Sequence, residues 1–130
     1  MAALETVRAF MARMQAKDFD AAMKFIAPDC EYTNIPMGTV RGPDGIRAVL
    51  EPFFAPIEQN EFKELRVASN GPIVFIERLD RHRTARGWWE LPVTGAYEVR
   101  DGLITVWRDY FDLATAQKGM NGAGQTGSED

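Results

Sequence analysis

Arg78, Asp80 and Asp109 are the residues best suited by type and spacing to do chemistry. The first two stand one residue apart in Glu77-Arg78-Leu79-Asp80. The third lies in Trp107-Arg108-Asp109-Tyr110-Phe111-Asp112. Side chains alternate across a strand, so Trp107, Asp109 and Phe111 share one face, and Arg78 and Asp80 share a face of an earlier strand. The face of Asp109 is otherwise mostly apolar. An ionised carboxylate there is costly unless paired, and Arg78 is its expected partner. Two carboxylates bridged by one cation have two readings. They can simply hold strands together, although buried ion pairs are often no more stabilising than apolar packing of the same volume. They can also take opposite protonation states, one as general acid and one as general base. Residue types and register leave both open.

Two hairpins must bring the three residues together. A loop at Ala85-Arg86 sets Val93 beside Arg78, Leu91 beside Asp80 and Trp89 beside His82. At the last hairpin, a two-residue turn at Asp101-Gly102 puts Asp109 on a face with Glu98, Ala96 and Thr94. A three-residue loop over 100–102 pairs Val99 with Leu103. It gathers Trp89, Leu91, Val93, Tyr97, Val99, Leu103, Trp107 and Phe111 around Asp109. A one-residue slip exchanges the faces, and only the second register builds a core, so it is the one expected. Arg78, Val93 and Asp109 then form a row across three strands. The outer backbones lie roughly 10 Å apart, a gap the side chains close over Val93.

The remaining elements follow from periodicity. Leu4, Val7, Phe10, Met11 and Met14 predict a helix over 2–16. Asp18 or Asp20 caps a second, short helix that stops near Pro28. Residues 30–36 read as a strand with Cys30, Tyr32 and Asn34 on one face, and 38–42 as a loop. Pro43 opens a helix carrying Ile46, Val49, Leu50, Phe53 and Phe54, with Pro52 and Pro56 at its end. An irregular strand over 58–69 is expected to bury Phe62, Leu65 and Val67. After the Asn70-Gly71 turn come strands over 73–83, 88–100 and 103–112. Helices followed by antiparallel strands give an α+β fold, with N-terminal helices packed on one face of a curved sheet. Residues 1–117 form one domain, and 118–130, rich in Gly, Ser, Gln and charge, a flexible tail. Phe53, Ile57, Leu91, Val93, Trp107 and Phe111 are either an apolar wall for a ligand or plain core.

With 130 residues, 45% of them hydrophobic and 26% charged, the chain can bury a real core as a single soluble domain. Its net charge is −4 and its basic residues do not cluster, so nucleic acid and anionic membrane are poor partners. The lone Cys30 excludes an internal disulfide, and with no apolar span or signal-peptide pattern the expected location is cytoplasmic. Cys30 reads as a small buried thiol. His82 shares the parity of Arg78 and Asp80, but a single His near a turn among arginines is expected to be solvated. No second His exists to build a metal set. No Gly-x-Ser-x-Gly or Gly-rich phosphate loop occurs.

Taken together, Glu31-Tyr32-Thr33-Asn34, Glu77-Arg78-Leu79-Asp80 and Trp107-Arg108-Asp109-Tyr110-Phe111-Asp112 resemble the limonene-1,2-epoxide hydrolase family. Its fold is shared with nuclear transport factor 2 (NTF2) and ketosteroid isomerase. The resemblance runs to about Ala116. It implies a cone-like, mostly antiparallel mixed sheet, and one-step hydrolysis of a small, apolar, cyclic epoxide to a vicinal diol without cofactor or metal. It assigns Asp80 as general acid, Asp109 as general base on the attacking water, and Arg78 as the bridge. Tyr32 and Asn34 hold the water with Asp109. It also implies a homodimer, for which outward residues such as Glu98, Arg108 and Tyr110 are available. Two other readings stand beside it. An isomerase or cyclase on the same fold would use one Asp as base on a carbon acid, and needs an oxyanion donor rather than an Arg-bridged pair. A non-catalytic ligand-binding domain needs neither.

Overall fold

Val7, Phe10 and Met14 recur at helical spacing and are buried along α1 (Ala3–Gln15). In the computed structural model, which describes residues 2–122, this stripe lies against the sheet together with Ile46, Leu50 and Phe54 of α3 (Gly42–Phe54). Between them Asp18 caps α2 (Phe19–Met23), accepting from the Ala21 N–H at 3.2 Å. Pro43 sits in the first turn of α3, where a missing N–H costs nothing.

Six strands make the sheet: β1 (Ile26–Ile35) and β2 (Gly38–Arg41) precede α3, and β3 (Gln59–Asn70), β4 (Ile73–Thr84), β5 (Gly87–Arg100) and β6 (Leu103–Tyr110) follow it. They form one open mixed sheet in the order β2-β1-β6-β5-β4-β3, parallel only between β1 and β6. The fold is the expected α+β arrangement. Along β4 the alternate residues Val74, Ile76, Arg78, Asp80 and His82 are all buried, so one face of this strand carries both core and charge.

Several local expectations are corrected. The segment expected as a loop forms β2, paired with β1 from Glu31↔Arg41 to Asn34↔Gly38. β1 begins at Ile26, so Pro28 lies inside it, at an irregularity in the pairing with β6 where a missing N–H is tolerated. Leu65 sits at a bulge in β3 and is exposed rather than buried. Asn70 pairs with Ile73, which moves the turn to Gly71-Pro72. A further helix, α4 (Leu113–Met120), takes up residues 118–120 of the expected tail. Asp112 caps it, accepting from the Thr115 N–H at 2.9 Å and the Thr115 hydroxyl at 2.7 Å. The rest of the expected tail, from 123 on, lies outside the described residues.

The last hairpin differs most. It turns in two residues, Asp101 and Gly102, with φ of 52° and 77°, as a type I′ turn requires. Arg100 therefore pairs with Leu103 and Val99 with Ile104, which is buried in place of Leu103. The register then slips by one residue at Thr105, so that Glu98 pairs with Val106 and Tyr97 with Trp107. This bulge returns Trp107 and Asp109 to the core face. It also sets Asp109 opposite Gly95, not in the expected row with Val93. Among the described residues, no helix is long and apolar enough to cross a membrane.

Candidate active site

β4 and β5 pair with a two-residue loop at Ala85-Arg86, which places Arg78 beside Val93, Asp80 beside Leu91 and His82 beside Trp89, as expected. From that position the Arg78 guanidinium reaches diagonally over Gly95 to β6. Its Nε donates to Asp80 Oδ1 at 2.7 Å and its Nη2 to Asp80 Oδ2 at 3.2 Å. Nη2 also donates to Asp109 Oδ2 at 3.0 Å, and Nη1 to Asp109 Oδ1 at 3.3 Å. The crossing depends on Gly95. A Cβ there would lie 2.7 Å from Arg78 Nη1 and 2.6 Å from the Tyr97 hydroxyl. The charged row runs over the one β5 position with no side chain in its path.

Neighbouring groups hold the cluster from the sides. Trp107 Nε1 donates to Asp109 Oδ1 at 2.9 Å, and Arg78 Nη1 donates to the Tyr97 hydroxyl at 2.8 Å. The parallel pairing of β1 with β6 sets Tyr32 beside Trp107 and Asn34 beside Asp109. The Tyr32 ring stacks on Trp107 with centroids 4.0 Å apart, and its hydroxyl donates to Asn34 Oδ1 at 2.8 Å. Thus Arg78, Asp80, Asp109, Tyr32 and Asn34 meet at one place. Tyr97, expected only as core, belongs to the same network. Its parity with Arg78 across β5 was the available signal.

The electrostatics separate the groups. Burial pushes the Asp80 carboxyl above its ordinary range, against the opposing pull of Arg78. Burial works against the charge on Arg78, but the carboxylates of Asp109 and Asp80 outweigh it and hold the guanidinium well above its ordinary value. Burial raises the Tyr32 and Tyr97 hydroxyls, so both stay protonated.

Of these six residues all but Tyr97, namely Tyr32, Asn34, Arg78, Asp80 and Asp109, open onto a cavity of about 420 Å³, within the span of about 300–1,000 Å³ usual for small-molecule sites. Phe53, Leu91, Val93, Trp107 and Phe111 line it, and α4 adds Ala116 and Met120. Ile57 does not line it. It lies just past the end of α3 and faces a neighbouring cleft beside the β4–β5 turn. His82 is another correction. It is 1% exposed, its ring lies 4.8 Å from that of Trp89 and 5.4 Å from that of Phe53, and it borders the cavity. Burial and the nearby charge of Arg78 lower its pKa to about 4. Cys30 is a buried thiol, pushed up to about 12 chiefly by burial.

The architecture is that of the NTF2-like proteins. An NTF2-like protein of unknown function from Burkholderia pseudomallei K96243 superposes with a TM-score of 0.77 at 20% identity, over 95% of this chain and 97% of that one. Similarity in sequence is narrower. Residues 1–121 match the limonene-1,2-epoxide hydrolase catalytic domain, and the chain belongs to that family. It is 32% identical over 114 residues to the epoxide hydrolase EphG of Mycobacterium tuberculosis, spanning 88% of this chain and 76% of that protein. The structure of an M. tuberculosis LEH-like epoxide hydrolase superposes with a TM-score of 0.79 at 32% identity, over 94% of this chain and 90% of that one.

Proposed function

We propose that this protein hydrolyses a small, apolar, cyclic epoxide to a vicinal diol in one step, with Asp80 as general acid and Asp109 as general base. The observation that carries this reading is the bridge of two buried carboxylates by a single guanidinium. With both carboxylates ionised the cluster holds a net negative charge in an apolar bowl, and one proton neutralises it. Asp80 is the better seat for that proton. Burial raises it, and it faces two donors where Asp109 faces three.

In the reaction, a water held by Tyr32, Asn34 and Asp109 attacks an oxirane carbon. Asp109 Oδ2, which accepts one hydrogen bond from Arg78, has a lone pair left to take the water proton. The carbon–oxygen bond breaks as Asp80 gives its proton to the oxirane oxygen. The diol leaves with Asp109 protonated and Asp80 ionised, and proton return from one to the other restores the enzyme. General acid and base each contribute about a hundred- to ten-thousand-fold. No cofactor enters this scheme. A reducing, cytoplasmic location suits the free Cys30. The outer sheet face, where Ile73, Phe75 and Tyr110 are exposed, is our assignment for a homodimer contact.

The test is a single turnover of cyclohexene oxide and limonene oxide in ¹⁸O-labelled water, for wild type, Asp80→Asn and Asp109→Asn. Labelled diol in the first turnover, lost in both variants while the fold is kept, is the expected result. Unlabelled first-turnover diol would mean an ester formed on a carboxylate and would overturn the one-step scheme. Near-normal rates in either variant would remove its assigned role.

A further inference from the structure

His82 is the polar group at this cavity that the scheme above leaves unused, and its tautomer can be worked out. Asn60 lies opposite it on β3, and its side-chain oxygen meets His82 Nδ1 at 2.7 Å. The amide orientation is set from the other side. Asn60 Nδ2 donates at 3.5 Å to the Gln15 carbonyl, which can only accept. The Asn60 oxygen therefore faces the imidazole, and Nδ1 must carry the proton. A neutral ring protonated at Nδ1 presents a lone pair at Nε2. Among the described residues, no group donates to Nε2. Phe53, Phe54, Phe62 and Trp89 surround the ring and offer it only ring contacts. His82 borders the cavity that Asp80 borders, two residues further along the same face of β4.

We propose that His82 Nε2 is a substrate-recognition acceptor, and that the cavity selects epoxides carrying a hydroxyl or N–H donor at a fixed distance from the oxirane ring. This rests on the epoxide-hydrolase reading and narrows it. Two residues along a strand span about 7 Å, so the donor sits roughly that far from the oxygen that Asp80 protonates. The skeleton between them is apolar, to match Leu91 and Phe53. A purely hydrocarbon epoxide strips water from Nε2 and gives nothing back, whereas a hydroxylated one replaces the lost bond. The penalty for an unmet buried acceptor corresponds to a preference of roughly 5- to 150-fold in kcat/KM.

The chain contains one histidine, so its imidazole signals are unambiguous. Protein labelled with ¹⁵N-histidine would be titrated with two unreactive ligands, cyclohexylmethanol and ethylcyclohexane. The expected result is a free protein with Nδ1 protonated and Nε2 bare, and an Nε2 resonance that moves toward the hydrogen-bonded position with the alcohol alone. A bare Nδ1, or an Nε2 signal indifferent to the alcohol at saturation, would overturn the proposal. In parallel, kcat/KM would be compared for an epoxide bearing a hydroxymethyl group and its ethyl counterpart, in wild type and His82→Leu. A wild-type preference for the hydroxylated substrate that collapses or reverses in the variant supports the assignment. An unchanged ratio overturns it. Should the variant not fold, the wild-type ratio and the resonance decide. An alcohol-specific Nε2 shift with no turnover of any epoxide would keep His82 as a ligand acceptor and refute the hydrolase reading instead.

Discussion

Gly95→Ala tests whether the space above β5 governs the active cluster. In a strand interior this exchange is ordinarily stabilising, by about 0.5–1 kcal/mol of backbone entropy. Here the new methyl would fall 2.6 Å from the Tyr97 hydroxyl and 2.7 Å from Arg78 Nη1. Both are side-chain ends, but neither can swing away freely. Arg78 is tied to Asp80, Asp109 and Tyr97, and the Tyr97 hydroxyl in turn meets Met11 Sδ at 3.6 Å. Overpacking of this kind costs about 1–3 kcal/mol, which leaves a net loss of roughly 0–2.5 kcal/mol. For a domain of this size that lowers Tm by up to roughly 12 °C. The guanidinium must shift by several tenths of an ångström, and misplacement approaching 1 Å costs about a hundredfold in rate. Thermal melting and diol formation from cyclohexene oxide would be measured side by side. A second variant, Gly95→Ala with Tyr97→Phe, removes one of the three clashing atoms, leaving the ring Cε1 at 2.8 Å and Arg78 Nη1 at 2.7 Å, and should recover part of both losses. A Gly95→Ala protein that melts higher than wild type and keeps its kcat would refute the argument.

Two further outcomes follow from buried contacts. His82 is lowered to about 4 in the folded chain and returns to about 6.5 when unfolded, so the unfolded chain takes up its proton first as the pH falls. Its contribution of roughly 3 kcal/mol is present above pH 6.5, declines below it and is gone near pH 4. Urea denaturation between pH 7 and pH 4 should lose that much more stability in wild type than in His82→Leu, whereas equal slopes would refute it. The raised Asp80 works in the opposite sense, with stability present at low pH and lost as the pH rises through its folded value. In α4, a Cβ at Gly119 would fall 1.8 Å from the Trp89 ring. Gly119→Ala should therefore lift the helix, speed amide exchange across 113–120 and raise KM more than it lowers kcat; unaltered exchange would show that α4 does not depend on this contact.

Register across β4 and β5 was legible because each strand buries every second residue without a break, which leaves one pairing that makes a core. The β5–β6 hairpin was not. The Asp101-Gly102 pair favours a two-residue turn, and the apolar pattern favours the opposite parity. The chain satisfies both by inserting Thr105 as a bulge, and no residue type there announces it. That insertion moves Asp109 from Val93 to Gly95, so the importance of Gly95 was hidden with it. α4 is hidden in the sequence because Asp112 continues the strand pattern of 103–112, and its role as a cap shows only in its contacts with Thr115. For His82 the alternation was right and the expectation from residue type was wrong. A polar side chain on an unbroken buried face is buried when a partner such as Asn60 can reach it, and that partner becomes visible only once β3 is aligned.

The same arrangement explains why three charges can work inside an apolar bowl. A buried site that changes its net charge during a reaction must meet a large desolvation penalty at some stage. Two carboxylates around one guanidinium avoid this if they share one proton. In the proposed scheme the proton starts on Asp80. As the epoxide opens, that proton would pass to the oxirane oxygen while Asp109 would receive another from the water. The cluster holds one proton at the start and one at the end, and its charge is neutral at both. Arg78 contacts both carboxylates through the same Nη2 atom, so its interaction follows the negative charge from Asp109 to Asp80 without the side chain having to move. A lysine in its place would offer a point charge without the planar fork that faces two acids at once. On the proposed scheme, the residue between the acids therefore sets both the cohesion of the strands and the constant charge under which the acid and the base would exchange roles.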